Sequence, residues 1–230
     1  MDYERIDELY PYDAYVNGKE GVYWRDKMLR PGDELPVLFY IFGVLGVLKK
    51  VPKFDGYMKQ LRYLKEEVKP SRKPMGVLDV GAGRGGLITA LYLLDVYAEG
   101  VEPSFAAVNS VMPRTAACMG LSLEFAMMPI HNRKLEDSLH CIRWDKIDTV
   151  VFCESLEHIE EEEFNKCYPK IEEELYKKEG LLILANNHWP IGADGRQHVR
   201  TIDDGVYDEL SEGKEVLLRK DSHLVLKFKR

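Results

Sequence analysis

Residues 77–86 read VLDVGAGRGG, and this stretch decides the fold. A short apolar run carries an acid, Asp79, near its end, and glycine then takes positions 81, 83, 85 and 86. The run reads as a strand, and the residues after the glycines read as the start of a helix. Glycine between the two lets the chain turn sharply and brings its backbone close to a ligand with no Cβ in the way. Taken literally, Gly81, Gly83 and Gly86 also satisfy the G-x-G-x-x-G fingerprint of dinucleotide sites. Gly81, Ala82, Gly83 and Gly85 therefore form a cofactor loop that does not by itself choose its nucleotide.

Outward from this loop, short apolar runs alternate with helical segments, the pattern of βαβ units and a parallel sheet. Strands are expected at 76–80, 97–101, 123–127, 148–153 and 181–185, with helices at 86–94, 105–119 and 160–178. EVLLRK and HLVLKFKR, on either side of Asp221 and Ser222, read as an antiparallel hairpin closing the sheet. The expected class is α/β, a doubly wound seven-stranded sheet, mostly parallel with a C-terminal antiparallel hairpin. Residues 1–74 are expected as a helical N-terminal extension or cap, with helices in LPVLFYIFGVLGVLKK and DGYMKQLRYLKEEVK. Pro70, Ser71 and Pro74 break the second of these.

Composition narrows the partners. A net charge of -7 over 230 residues supplies no general field for phosphate backbones, which favours a small-molecule acceptor and leaves RNA to a local basic patch. Cys118, Cys141, Cys153 and Cys167 form no CxxC pair, consistent with reduced thiols in a cytoplasmic protein. The start MDYERIDELY lacks the basic and apolar succession of a signal peptide. The apolar run 35–48 stops short of the ~20 residues of a membrane helix, so no membrane partner is expected. The oligomeric state is not legible.

Two acids and a compact cluster carry the chemistry. Asp79 puts a carboxylate into an apolar strand, where burial without a partner is costly; the bland reading is a turn cap. Glu102 ends the next expected strand in AEGVEPS, beside Pro103, where a carboxylate can accept from both hydroxyls of a ribose. After the expected third strand, Met128 offers apolar contact to a base, although a Met pair is more often core. The segment DTVVFCESLEHI then places Glu154, Glu157 and His158 at i, i+3 and i+4, gathered on one face if the segment turns helically. Glu160 to Glu163 read as the acidic first turn of a helix.

VLDVGAGRGG, the acid of AEGVEPS and DTVVFCESLEHI together resemble the class I methyltransferases that use S-adenosylmethionine (SAM). The E-x-L-E-H element is similar to that of ubiquinone-pathway O-methyltransferases and of small-RNA 2'-O-methyltransferases. The resemblance implies that 75–230 is a SAM-binding methyltransferase domain in which Asp79, Gly81, Ala82, Gly83, Gly85, Glu102, Pro103, Met128 and Glu154 hold the cofactor. It implies catalytic roles for Glu154 and His158, the imidazole being suited to taking a proton from a hydroxyl. The small-RNA enzymes add a later histidine to bind a divalent metal; here Glu154, Glu157, His158 and His198 would form that set, with His188 as another candidate. Many relatives with the same triplet hold no metal. The expected function is methyl transfer to an oxygen of a small molecule. An NAD-dependent oxidoreductase, a non-catalytic SAM-binding subunit and RNA 2'-O-methylation remain as alternatives.

Overall fold

The computed structural model describes residues 74–83, 85–93, 96–113, 128–153, 155–185, 199–220 and 223–229. The expected N-terminal extension, the 123–127 strand, Glu154, His188 and His198 lie outside the described residues.

Seven strands form one sheet: β1 (Gly76–Val80), β2 (Tyr97–Val101), β3 (Ile130–His131), β4 (Thr149–Cys153), β5 (Leu181–Ala185), β6 (Glu215–Lys220) and β7 (His223–Lys227). The strand order is β3-β2-β1-β4-β5-β7-β6. The first five run parallel and the last two antiparallel. All five residues of β1 and of β5 are buried, which is why β5 is continuously apolar and β1 is apolar apart from Asp79, instead of alternating.

Helix α1 (Gly86–Leu93) covers one face, and a Cβ built on Gly100 of β2 would meet its Ile88 Cδ1 at 2.2 Å. The other face carries α3 (Glu161–Lys178) and α4 (Asp204–Ser211). Leu78, Val80, Val150, Phe152, Leu182, Leu184, Leu224 and Leu226 meet Phe164, Cys167, Ile171 and Leu175 of α3 and Tyr207 and Leu210 of α4 there. The α3 residues recur at three- and four-residue steps and so form one stripe. Its first turn holds Glu161, Glu162 and Glu163 and its last Lys177 and Lys178, each charge opposing the helix dipole.

Three features differ from the sequence expectation. The strand that pairs with β2 is Ile130–His131, beyond the expected 123–127. Helix α2 (Leu135–Ser138) and α4 have no counterpart in the expected elements. Helix α4 begins where Asp203 accepts from Val206 N–H at 3.2 Å, an N-cap that its sequence does announce. The expected helix from 105 contains a π-helical turn, Ala107–Val111, in which Met112 N–H donates to Ala107 O, five residues back. Pro113 follows and has no N–H to continue the α pattern.

Asp148 joins the amino ends of two strands. Its Oδ1 accepts from Met75 N–H at 3.0 Å and from the Thr149 hydroxyl at 3.1 Å, while its own N–H donates to Gly76 O. The closing hairpin is present with β7 inside, paired to β5, and β6 outermost. Strand β6 has a register shift between Val216 and Leu218, and its Arg219 binds Asp204 at 3.0 Å and Asp208, both on α4. No helix among the described residues is long and apolar enough to cross a membrane.

Phe152 is fully buried on β4 and meets Phe164 of α3 edge-on at 5.9 Å. Phe152→Ala is expected to cost about 3–5 kcal/mol of unfolding free energy, read as a lowered urea midpoint.

Candidate cofactor and active site

The strand order reverses between β1 and β4, so the loops at their carboxyl ends diverge and leave a crevice, the place where doubly wound sheets bind ligands. The turn after β1 enters it. Gly81 N–H and Ala82 N–H both donate to Val101 O, at 2.8 and 3.0 Å, tying this turn to the end of β2. Gly81 has φ +74, and a Cβ there would lie 2.4 Å from Ser155 Cβ. Only glycine satisfies both the left-handed backbone and that close approach. Gly83 and Gly85 share the positive φ, and Thr89 bonds Gly85 O through both its N–H and its hydroxyl, at 2.9 and 2.6 Å, starting α1.

Glu102 is the hinge of the site. Its Oε2 accepts from Gly83 N–H at 2.7 Å and its Oε1 from Ser104 N–H at 2.8 Å, so one carboxylate links the loops after β1 and β2. Three residues that the sequence reading did not single out hold this arrangement. Ser104, fully buried, accepts from Ala107 N–H at 3.0 Å and starts the next helical segment. Asn132 donates to Glu102 O at 2.9 Å and to Pro103 O at 3.2 Å, following β3 directly. Ser155 packs on Gly81, and its buried hydroxyl has no hydrogen-bond partner among the described residues. A serine directly before a helical run announces Ser104; nothing local announces the other two.

Asp79 is 3% exposed, and its carboxyl is pushed from 3.8 up to about 7, first by burial and then by repulsion from Glu102. Two carboxylates thus occupy adjacent strand ends with little water. A cation placed between them would relieve both burial and repulsion.

Across the crevice, Leu156–His158 forms a single 3-10 turn after β4. Glu157 is 1% exposed whereas His158 is only half-buried, so the turn sends neighbouring side chains to different surroundings. The Glu157 carbonyl accepts from Val199 N–H at 2.9 Å and Arg200 N–H at 3.3 Å, which draws the chain returning from β5 against this turn. Among the described residues no three His, Cys, Asp or Glu side chains are gathered closely enough to hold a metal ion. Glu154 and His198 are outside those residues. Of the other expected site residues, Ala82 and Met128 are buried and Pro103 is half-buried; Met128 lies on the approach to β3.

No protein-family model matches the sequence, and a comparison with curated proteins finds no match. Among solved structures, the chain is similar to a SAM-dependent methyltransferase from Archaeoglobus fulgidus, at 14% identity and a TM-score of 0.44, covering 70% of this chain and 69% of that one. It is also similar to an rRNA methylase from Streptococcus thermophilus, at 12% identity and 0.45, covering 78% and 99%. A third is the glycopeptide N-methyltransferase MtfA complexed with S-adenosylhomocysteine, at 17% identity and 0.46, covering 75% and 89%. All three likenesses are distant.

Two predictions rest on this geometry. Gly81→Ala forces a side chain into both a left-handed turn and Ser155, and is expected to cost about 2–4 kcal/mol of stability in a chemical melt. For Asp79, the raised carboxyl means that the folded chain keeps a proton that the unfolded chain releases. Its contribution to stability is full below about pH 4 and is lost as pH rises through about 7, with a slope of up to ~1.4 kcal/mol per pH unit between. Asp79→Asn is expected to flatten that part of the ligand-free stability profile; an unchanged slope would show that Asp79 is not its source.

Proposed function

We propose that this chain is a SAM-dependent methyltransferase acting on an oxygen of a small molecule. The observation that carries the reading is the pair of buried carboxylates, Asp79 and Glu102, set beside a loop of positive-φ glycines. A dinucleotide would bring a doubly charged pyrophosphate to this loop, against Asp79. SAM has no phosphate and carries an ammonium and a sulfonium, so its charge has the sign that the pair needs.

When bound, SAM supplies an electrophilic methyl group on its sulfonium. The residues of the site fit its parts. Asp79 would face the ammonium, with the Gly81–Gly85 backbone and the Ser155 hydroxyl completing the surroundings of the methionine portion. The Glu102 carboxylate, at the end of β2, suits two ribose hydroxyls. Asn132 directly follows β3 and retains its amide oxygen as an acceptor for an adenine amino group, with Met128 and Pro103 as apolar contacts. His158 would take the proton from an acceptor hydroxyl, and Glu154 would face the acceptor. Alignment of the two reacting atoms supplies most of the rate in such a transfer.

A divalent metal on Glu154, Glu157, His158 and His198 would bind the acceptor oxygens and lower their pKa. The support for this is the residue types alone.

Calorimetric titration is expected to show S-adenosylhomocysteine binding and none of NAD. Asp79→Asn should weaken the former by at least tenfold, about 1.4 kcal/mol. Tight NAD binding with no S-adenosylhomocysteine binding would overturn the reading. With labelled SAM, a small-molecule pool should take up the methyl group, and His158→Ala should slow that transfer by roughly a hundredfold with little change in cofactor affinity. Removal of metal by chelation and its return separates the metal-assisted route: activity that survives exhaustive chelation excludes it.

A further inference from the structure

A cavity of about 420 Å³ lies between α3 and α4. Its volume falls within the ~300–1,000 Å³ of small-ligand sites. An aromatic ladder forms one wall. The Arg200 guanidinium sits over the Phe164 ring at 4.7 Å, Phe164 stacks on Tyr168 at 5.0 Å, and Lys214 Nζ lies 5.7 Å from the Tyr168 ring.

The two cations differ in how they are matched. Lys214 is nearly buried and pairs with Glu172 at 2.7 Å. Among the described residues Arg200 makes no ion pair, and its Nε is buried with no acceptor. The Tyr168 hydroxyl is buried and equally unpartnered among them. A buried donor without an acceptor costs roughly 1–3 kcal/mol, more when charged, so two residues of the wall each hold a donor that needs one. Burial holds the Arg200 guanidinium below its ordinary range, against the field of Glu161, Glu209 and Glu157. Glu209 also acts on Tyr168, and Arg200, Phe164 and Tyr168 all line the cavity.

The rest of the lining sets the sign of the ligand. Glu161, Glu209 and Glu212 are exposed at the rim. A simple anion would have to pass those carboxylates, and a simple cation would leave the two donors unmet. A ligand carrying a carboxylate at one end and an ammonium at the other satisfies both. We propose that this cavity is a second ligand site, taking a small zwitterion of the α-amino-acid type, with its carboxylate on Arg200 and the Tyr168 hydroxyl and its ammonium toward Glu161 and Glu209. The assignment is independent of what the glycine loop binds.

The test is calorimetric titration of the full chain with the common L-amino acids, each paired with the amine lacking its carboxylate and the acid lacking its amine. At least one amino acid is expected to bind saturably at one per chain, with both partial analogues at least tenfold weaker. Arg200→Gln should abolish that binding. Tyr168→Phe keeps the ring stack on Phe164, and hence the fold, and should weaken it severalfold. Hydrogen exchange gives a local readout: the Val199 and Arg200 amides, which donate to Glu157 O, should gain protection with the ligand. Absence of saturable binding by any amino acid, equal binding by the acids alone, or binding that both variants leave intact would overturn the proposal.

Discussion

Two carboxylates that would each prefer water are held out of it, side by side, at the ends of β1 and β2. Burial and mutual repulsion act on Asp79 together, and the surrounding structure is arranged to bear that cost. Glu102 is fixed by the Gly83 and Ser104 amides, Asn132 fixes the backbone behind it, and the turn after β1 is bonded to Val101 O. A carboxylate free to rotate away would dissipate the repulsion. Here the Glu102 carboxylate is held in place beside Asp79 before any ligand arrives.

The far wall follows from the sheet's reversal. Once β4 lies beside β1, Ser155 must pass within contact of Gly81, and a side chain at position 81 would push the two walls apart. The Glu157 carbonyl then gathers Val199 and Arg200, so the chain leaving β5 is drawn to the same edge. The turn at Leu156–His158 and the cavity between α3 and α4 are therefore neighbours through a single peptide group.

Most of the sheet was readable because its strands are short, mainly apolar runs separated by turn and helical segments. The residues 76–80, 97–101 and 181–185 stand as the sequence places them. Strand β3 was not readable: it is a two-residue strand whose side chains are only half-buried, so it leaves no hydrophobic run. That matters for the site, since the residue following β3 is Asn132. Helix α4 was missed because DGVYDELS is short and begins with residues that favour turns, and its stability comes from packing Tyr207 and Leu210. The glycine loop, Asp79 and Glu102 were legible because each breaks a local preference. Ser155 and Asn132 break none, and their roles arise from contacts with segments 74 and 30 residues away.

Strand β6 shows how the molecule ends its sheet. It is one of the sheet's two outer strands, the other being β3, and an outer strand's unpaired backbone donors and acceptors could recruit a strand from another chain. Its register shift at Val216 and Leu218 bends the ladder, and Arg219 is anchored sideways to the acids of α4. An incoming strand would find a kinked template and would have to displace a charged strut. The hairpin thus does more than complete the fold: by turning β7 inward and leaving β6 outside, it gives the protein a rim that resists growth into a larger sheet.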